Sequence, residues 1–116
     1  MHQLELTGAI VPKARPRSTG KHHYLPAPYR EWKSQAIAQL QRQSAPARMT
    51  GVRLDVLLKG KHSRRGDADN IIGSIMDALV QAQILANDNL ATVSGLSIEL
   101  QYNADPPTAL ITISPA

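Results

Sequence analysis

Apolar residues along this chain fall into two rhythms, and their alternation predicts the architecture. From His2 to Thr7, Leu4 and Leu6 alternate with Gln3, Glu5 and Thr7, the two-residue period of a strand with one face buried. The stretch 12–28 is punctuated by Pro12, Pro16, Pro26 and Pro28 and reads as a long basic loop, because prolines deny it a regular ladder. Pro28 suits the first turn of a helix that runs to about Gln43, with Tyr29, Trp32, Ala36, Ile37 and Leu40 on one face. Val52, Leu54, Val56 and Leu58 alternate as a second strand. A helix opening near Asp69 or Asn70 and ending near Ala82 would bury Ile72, Ile75, Met76 and Leu79. Leu96, Ile98, Leu100 and Tyr102 mark a third strand, residues 103–107 a turn, and Ala109, Ile111 and Ile113 a last strand. The order β-α-β-α-β-β predicts a single α+β domain spanning 1–116: a small mixed sheet of about four strands with two helices.

Composition narrows the class without changing that picture. At 116 residues, with 42% hydrophobic positions, the chain can bury one modest core. It has no cysteine, hence no disulfide framework and no thiolate zinc site. Only three Tyr and one Trp are present, so base-stacking platforms are scarce, which weighs against single-strand binding through rows of aromatics. The N-terminal residues lack the pattern of a secretory signal, and no window has the length and apolarity of a membrane span. The expected setting is the cytoplasm, on the nucleoid.

Charge changes the picture more. All 13 Lys and Arg lie at or before Arg65, so the first 65 residues carry ten net positive charges. The remainder carries six acids and no cation, which recovers the overall +4. A basic tract that feeds directly into acids suits a protein that holds a polyanion and hydrolyses it with divalent metal. At the junction stand Asp67 and Asp69, with Asp88 beyond the helix. If the backbone at 67–69 is extended, the pair points to one side, and Asp88 returns to the same end of the sheet by the connection after the helix. Three convergent carboxylates offer Mg²⁺ or Mn²⁺ the hard oxygen donors it needs. Taken singly, each has a plainer role: Asp69 or Asn70 as a helix N-cap, Asp88 as a turn residue in Asn87-Asp88-Asn89.

The stretch Arg64-Arg65-Gly66-Asp67-Ala68-Asp69-Asn70-Ile71-Ile72, with Met76-Asp77-Ala78-Leu79 and Asn87-Asp88, resembles the signature of the RusA family of Holliday junction resolvases. Pro12-Lys13-Ala14-Arg15-Pro16-Arg17, Tyr24-x-Pro26 and Tyr29-Arg30-x-Trp32-Lys33 resemble that family's basic loop and first helix. The resemblance implies that Asp67, Asp69 and Asp88 are the catalytic metal ligands, that Mg²⁺ or Mn²⁺ is the cofactor, and that a homodimer cuts opposed strands of a four-way DNA junction. The expected reaction is in-line hydrolysis of the phosphodiester, leaving a 5′-phosphate. Lys13, Arg15, Arg17, Lys21, Lys61, Arg64 and Arg65 are the candidates for seating the DNA backbone, contacts that position a substrate without reading its sequence.

Two departures from the family pattern stand out. Many members carry a Lys three residues after the Asn; here that residue is Gly73, and the loop cations Lys59, Lys61, Arg64 and Arg65 are the candidates to replace it. The usual pair of acids after the helix is here Asn87-Asp88. These motivate the alternative of a homologue that binds junctions but cuts weakly or not at all. Asn70 and Asp77, with Gly73 between them, share a helix face; they are candidates for an outer shell, Asp77 more simply as a hydrogen-bonded structural carboxylate. His22-His23 beside Lys21 fits phosphate contact better than zinc, since no third soft ligand is spaced to join them. No phosphate-loop or dinucleotide motif is present, so no nucleotide cofactor is expected. Ser18, Ser63 and Ser74 have no evident His and acid partners for nucleophilic catalysis.

Overall fold

The computed structural model describes residues 1–12, 17–19, 22–24, 27–62 and 67–116. Strand β1 (His2–Thr7) is followed by two three-residue strands, β2 (Arg17–Thr19) and β3 (His22–Tyr24), then helix α1 (Ala27–Gln41). Strand β4 (Val52–Lys59), helix α2 (Ala68–Gln81), β5 (Val93–Gln101) and β6 (Thr108–Pro115) complete the chain. The main sheet has the order β1-β6-β4-β5, so the fold is α+β with a mixed four-stranded sheet and two helices, as expected.

Alternation fixes which face of the sheet is covered. Leu4 pairs with Ile111 and Leu6 with Ala109 across β1 and β6; Leu54, Val56 and Leu58 pair with Ile113, Ile111 and Ala109 across β4 and β6. All eight are buried and form one apolar layer. Against it lie Ala36 and Leu40 from α1 and Ile71, Ile72, Ile75, Met76, Ala78 and Leu79 from α2. The opposite face carries the polar residues Gln3, Glu5, Arg53 and Asp55, which are exposed or half-buried.

The two edges of the sheet are finished differently. On β1, the Thr7 N–H donates to Oε1 of Gln39 at 2.9 Å and the Glu5 N–H to Oε1 of Gln43 at 2.8 Å. The same glutamines donate back to the Thr7 and Glu5 carbonyls. Two side chains of α1 thus satisfy this edge as a further strand would. The other edge is β5, where Leu96 is 46% exposed and Tyr102 43%. The sequence reading placed Leu96 and Tyr102 on an apolar face with Ile98 and Leu100. The position of β5 at the sheet margin is what leaves their side chains in solvent.

The other difference lies in the basic loop, where β2 and β3 form a small antiparallel pair with Arg17 opposite Tyr24 and Thr19 opposite His22. The prolines that argued against a ladder, Pro16 and Pro26, fall outside the paired residues, so none removes a needed donor. β5 also begins three residues earlier than its apolar alternation shows, because Val93 and Gly95 continue the parallel pairing with β4 around an irregularity at Ser94. No helix among the described residues is long and apolar enough to cross a membrane.

Candidate active site

The segment that leads to the acids is anchored before it reaches them. After β4, Gly60 turns with φ +93°, and a Cβ there would lie 2.5 Å from the Pro106 carbonyl oxygen. Only glycine tolerates both the left-handed backbone and that approach. The Lys61 N–H donates to the Asp105 carbonyl at 3.0 Å, and the Asn103 N–H to the Gly60 carbonyl at 3.4 Å. His62 is buried, and its Nε2 donates to the Thr108 carbonyl at 2.8 Å. The β5–β6 turn therefore holds residues 60–62 in place. Lys61 itself is exposed at this end of the sheet.

Asp67 is the N-cap of α2, with extended backbone at φ −71° and ψ 132°, and its carbonyl accepts the first helical hydrogen bond from Ile71. The cap is neither Asp69 nor Asn70, as the sequence suggested. Ala68 and Asp69 are already helical, so the two acids do not share a side by strand alternation; they are gathered instead at the N-terminal end of α2. The positive end of the helix dipole favours acids there. Neither is spent on the helix: Asp67 makes no side-chain cap bond. Both carboxylates are exposed, and among the described residues no hydrogen bond or ion pair engages them.

Asp88 lies at the other end of the same helix, which corrects the expectation that it returns to the end of the sheet occupied by Asp67 and Asp69. Strands β4 and β5 run parallel, with Val52 beside Val93 and Lys59 beside Gln101. Helix α2, the crossover between them, must run back along the sheet. Leu85 bridges to Met49, just ahead of β4, and the Thr50 hydroxyl donates to the Ala91 carbonyl, which fixes 85–91 at the N-terminal end of both strands. The fourteen residues of α2 therefore separate Asp88 from the acid pair by roughly 20 Å at a rise of 1.5 Å per residue. Among the described residues no three His, Asp or Glu side chains are gathered closely enough to hold a metal ion. The donor chemistry suits Mg²⁺, three exposed carboxylates with unclaimed oxygens, but a single chain does not bring them together.

Asp77 serves the helix pair. It accepts from the Tyr29 hydroxyl at 2.8 Å and lies 3.3 Å from Lys33 Nζ, so α2 is tied to α1. Gln81 Nε2 also donates to it. Burial of Tyr29, reinforced by its bond to the Asp77 carboxylate, pushes the phenol pKa well above its ordinary value. Asp77 is thus the structural carboxylate of the two roles weighed for it. Asn70 is exposed in the first turn of α2, beside the acid pair. Ser74 is engaged structurally: its hydroxyl donates to the Val11 carbonyl at 2.6 Å, pinning the segment after β1 to α2. Sequence reasoning passed over it because hydroxyls in helices carry no positional signature.

Of the seven cations expected to seat DNA, Lys13, Arg15, Lys21, Arg64 and Arg65 lie outside the described residues, and Arg17 is placed on β2. Lys61 is the member whose surroundings are described, two residues beyond the end of β4 and on the path to Asp67.

An α+β sheet with one covered face thus carries two exposed acids at a helix N-terminus, directly after the basic stretch of the sequence. The family model for endodeoxyribonuclease RusA matches residues 7–114, nearly the whole chain. The chain belongs to the RusA endodeoxyribonuclease family. Comparison with curated proteins finds no match.

Proposed function

We propose that this chain is a divalent-metal-dependent endonuclease that resolves four-way DNA junctions as a homodimer, in recombination and repair. The observation that carries the reading is the acid pair: Asp67 and Asp69 are exposed, unengaged by hydrogen bonds, and set at the N-terminus of α2 where the basic segment ends. Membership of a DNA endonuclease family supplies the reaction class.

In this reading Asp67, Asp69 and Asp88 hold Mg²⁺ or Mn²⁺. Because Asp88 sits at the far end of α2, the third carboxylate comes from a second copy of the chain. When bound, the metal supplies Lewis acidity and a water acidic enough to act as a nucleophile near neutral pH. The carboxylates orient that centre, Asp67 and Asp69 from a rigid helix end and Asp88 from a turn braced by Asn87 and Asn89. Lys61, with Arg64 and Arg65, seats the phosphate next to the acids in sequence, and Lys13, Arg15, Arg17 and Lys21 are the other cations that hold the DNA backbone. A two-fold dimer matches the paired strands of a four-way junction.

The test is cleavage of a synthetic four-way junction with Mg²⁺ and with EDTA, using Asp69→Asn as control. Paired nicks that require both the metal and Asp69 support the reading. Binding without metal-dependent or Asp69-dependent products would instead identify a junction-binding homologue that no longer cuts, the alternative that Gly73 and Asn87 motivate.

A further inference from the structure

The geometry points to a pocket at the margin of β1 that takes up one unpaired nucleobase of the bound DNA against Trp32. The inference rests on the DNA-binding half of the reading above and adds a base contact to its phosphate contacts. The pocket, of about 250 Å³, lies between α1 and the end of β1 and is lined by Thr7, Gly8, Ala9, Trp32, Gln35 and Gln39. Sites for drug-sized ligands run to roughly 300–1,000 Å³, so this one suits a single heterocycle.

The lining decides the class of ligand. Among the described residues no charged side chain lines the pocket, so nothing there compensates a phosphate. It offers an indole and an amide instead. Trp32 is half-buried, Gln35 is exposed, and among the described residues neither the indole N–H nor the Gln35 amide has a hydrogen-bond partner. An aromatic side chain stacks on any base, and an amide, donor and acceptor at once, matches the edge of one. A single tryptophan serves a single base, which the scarcity of aromatics in this chain allows.

The walls are set before a ligand arrives. Gln39 Oε1 accepts from the Thr7 N–H at 2.9 Å and from the Thr7 hydroxyl at 3.3 Å, fixing the end of β1 against α1. Tyr29 stacks on Trp32 with ring centroids 6.0 Å apart, and Tyr29 is itself held by Asp77. The indole is therefore ordered in advance, which lowers the entropy lost on binding. Gly8 turns with φ +96°, and no heavy atom lies within 4 Å of the place a Cβ would take, so the space beside it is open.

Its place in the fold brings DNA to it. The Gly8 N–H donates to the Pro107 carbonyl at 2.9 Å, and the same β5–β6 turn holds Lys61. The pocket thus shares the end of the sheet at which β4 gives way to the acid pair. In sequence its two walls are joined by residues 10–31, which carry Lys13, Arg15, Arg17, Lys21 and Arg30 against the single acid Glu31. β1 and β4 are two strand spacings apart, about 10 Å, or about three nucleotides along a duplex strand. A four-way junction supplies the ligand at its branch point, where stacking is interrupted and a base leaves its pair at least cost.

Trp32 is the chain's one tryptophan, so its fluorescence reads the pocket directly. The full chain is titrated in EDTA, without cleavage, against three probes: a synthetic four-way junction, the same junction with abasic sites at the branch point, and a linear duplex. Gel shifts run in parallel give the occupancy of each. The intact junction is expected to quench by about half or more, and the other two at least about fivefold less at equal occupancy. Equal quenching by intact and abasic junctions, or no quenching of bound chain, overturns the proposal. Gln35→Ala, at an exposed helix position, should weaken binding of the intact junction about fivefold and leave the abasic junction unchanged. An equal effect on both, or none on either, overturns it as well. Selective quenching without cleavage in Mg²⁺ would sink the nuclease reading alone, cleavage without quenching would sink the pocket alone, and failure to bind any probe would sink both.

Discussion

Tyr29 Oη donates a 2.8 Å hydrogen bond to Oδ2 of Asp77, joining the first turn of α1 to the third turn of α2. Tyr29 is 1% exposed, so its phenol has left water and Asp77 is its compensation. Lys33 adds an ion pair to the same oxygen. α1 follows the basic stretch in sequence and α2 begins at the acids, so this contact ties those two helices to one another.

Tyr29→Phe is therefore expected to cost about 1–3 kcal/mol in chemical denaturation, the usual range for losing a buried hydrogen bond to a charged group. Its pH dependence is distinctive. The folded chain holds the phenol proton more tightly than the unfolded chain does. The resulting stabilisation is complete below about pH 10 and declines as pH rises past it, by roughly 1.4 kcal/mol per pH unit. Tyr29→Phe should lose that part of the alkaline slope; an unchanged slope would remove Tyr29 from the account.

Asp67→Asn and Asp69→Asn should each reduce junction cleavage by more than about 100-fold, since an amide is a poor ligand for a hard cation. Affinity for the junction, measured by gel shift in EDTA, should be unchanged or slightly raised, because an acid beside the phosphate path has been neutralised. A parallel loss of binding would point to misfolding instead of chemistry.

Mixing two inactive variants tests whether one site draws on two chains. In a dimer of Asp69→Asn with Asp88→Asn, a shared site leaves one of its two centres intact, whereas sites closed within one chain leave none. Co-refolded variants should recover nicking at about a quarter of the wild-type site number, from statistical assortment of two-fold dimers. Absence of recovery, with mixed dimers verified by mass, would mean that Asp88 does not join a neighbouring chain's acids.

Gly60→Ala should destabilise the fold by about 2 kcal/mol or more. The new methyl would meet the Pro106 oxygen at 2.5 Å, on a backbone with φ +93°. Thermal melting checks this. Gly8→Ala is the comparison: its φ is +96°, but nothing lies within 4 Å of the added methyl, so it should cost less.

Lys61→Ala is expected to weaken junction binding alike for different arm sequences and to lower the slope of log affinity against log salt by about one, as for one phosphate contact. A change confined to one junction sequence would mean that Lys61 reads bases.

Much of this fold was legible because its core uses short periods. Leu4 and Leu6, Leu54 to Leu58 and Ala109 to Ile113 alternate cleanly, and each set is buried on one face. The β2–β3 pair was hidden because three-residue strands lie below the length at which alternation is informative, and because prolines flank them. The direction of α2 was the larger miss. Nothing local in Asn87-Asp88-Asn89 says which end of the sheet it occupies; that follows from β5 pairing parallel to β4, a relation between residues 41 positions apart such as Val52 and Val93. Tyr29 and Asp77 are 48 positions apart, and that bond is likewise invisible to any window along the chain.

α2 runs along the whole sheet, with carboxylates beyond each tip. On the proposed two-chain site this would make hydrolysis second order in protein, since an isolated chain would bear two incomplete jaws. Below the dissociation constant of such a pair, cutting would rise with the square of abundance, and a small change in expression would become a sharp threshold between harmless and active.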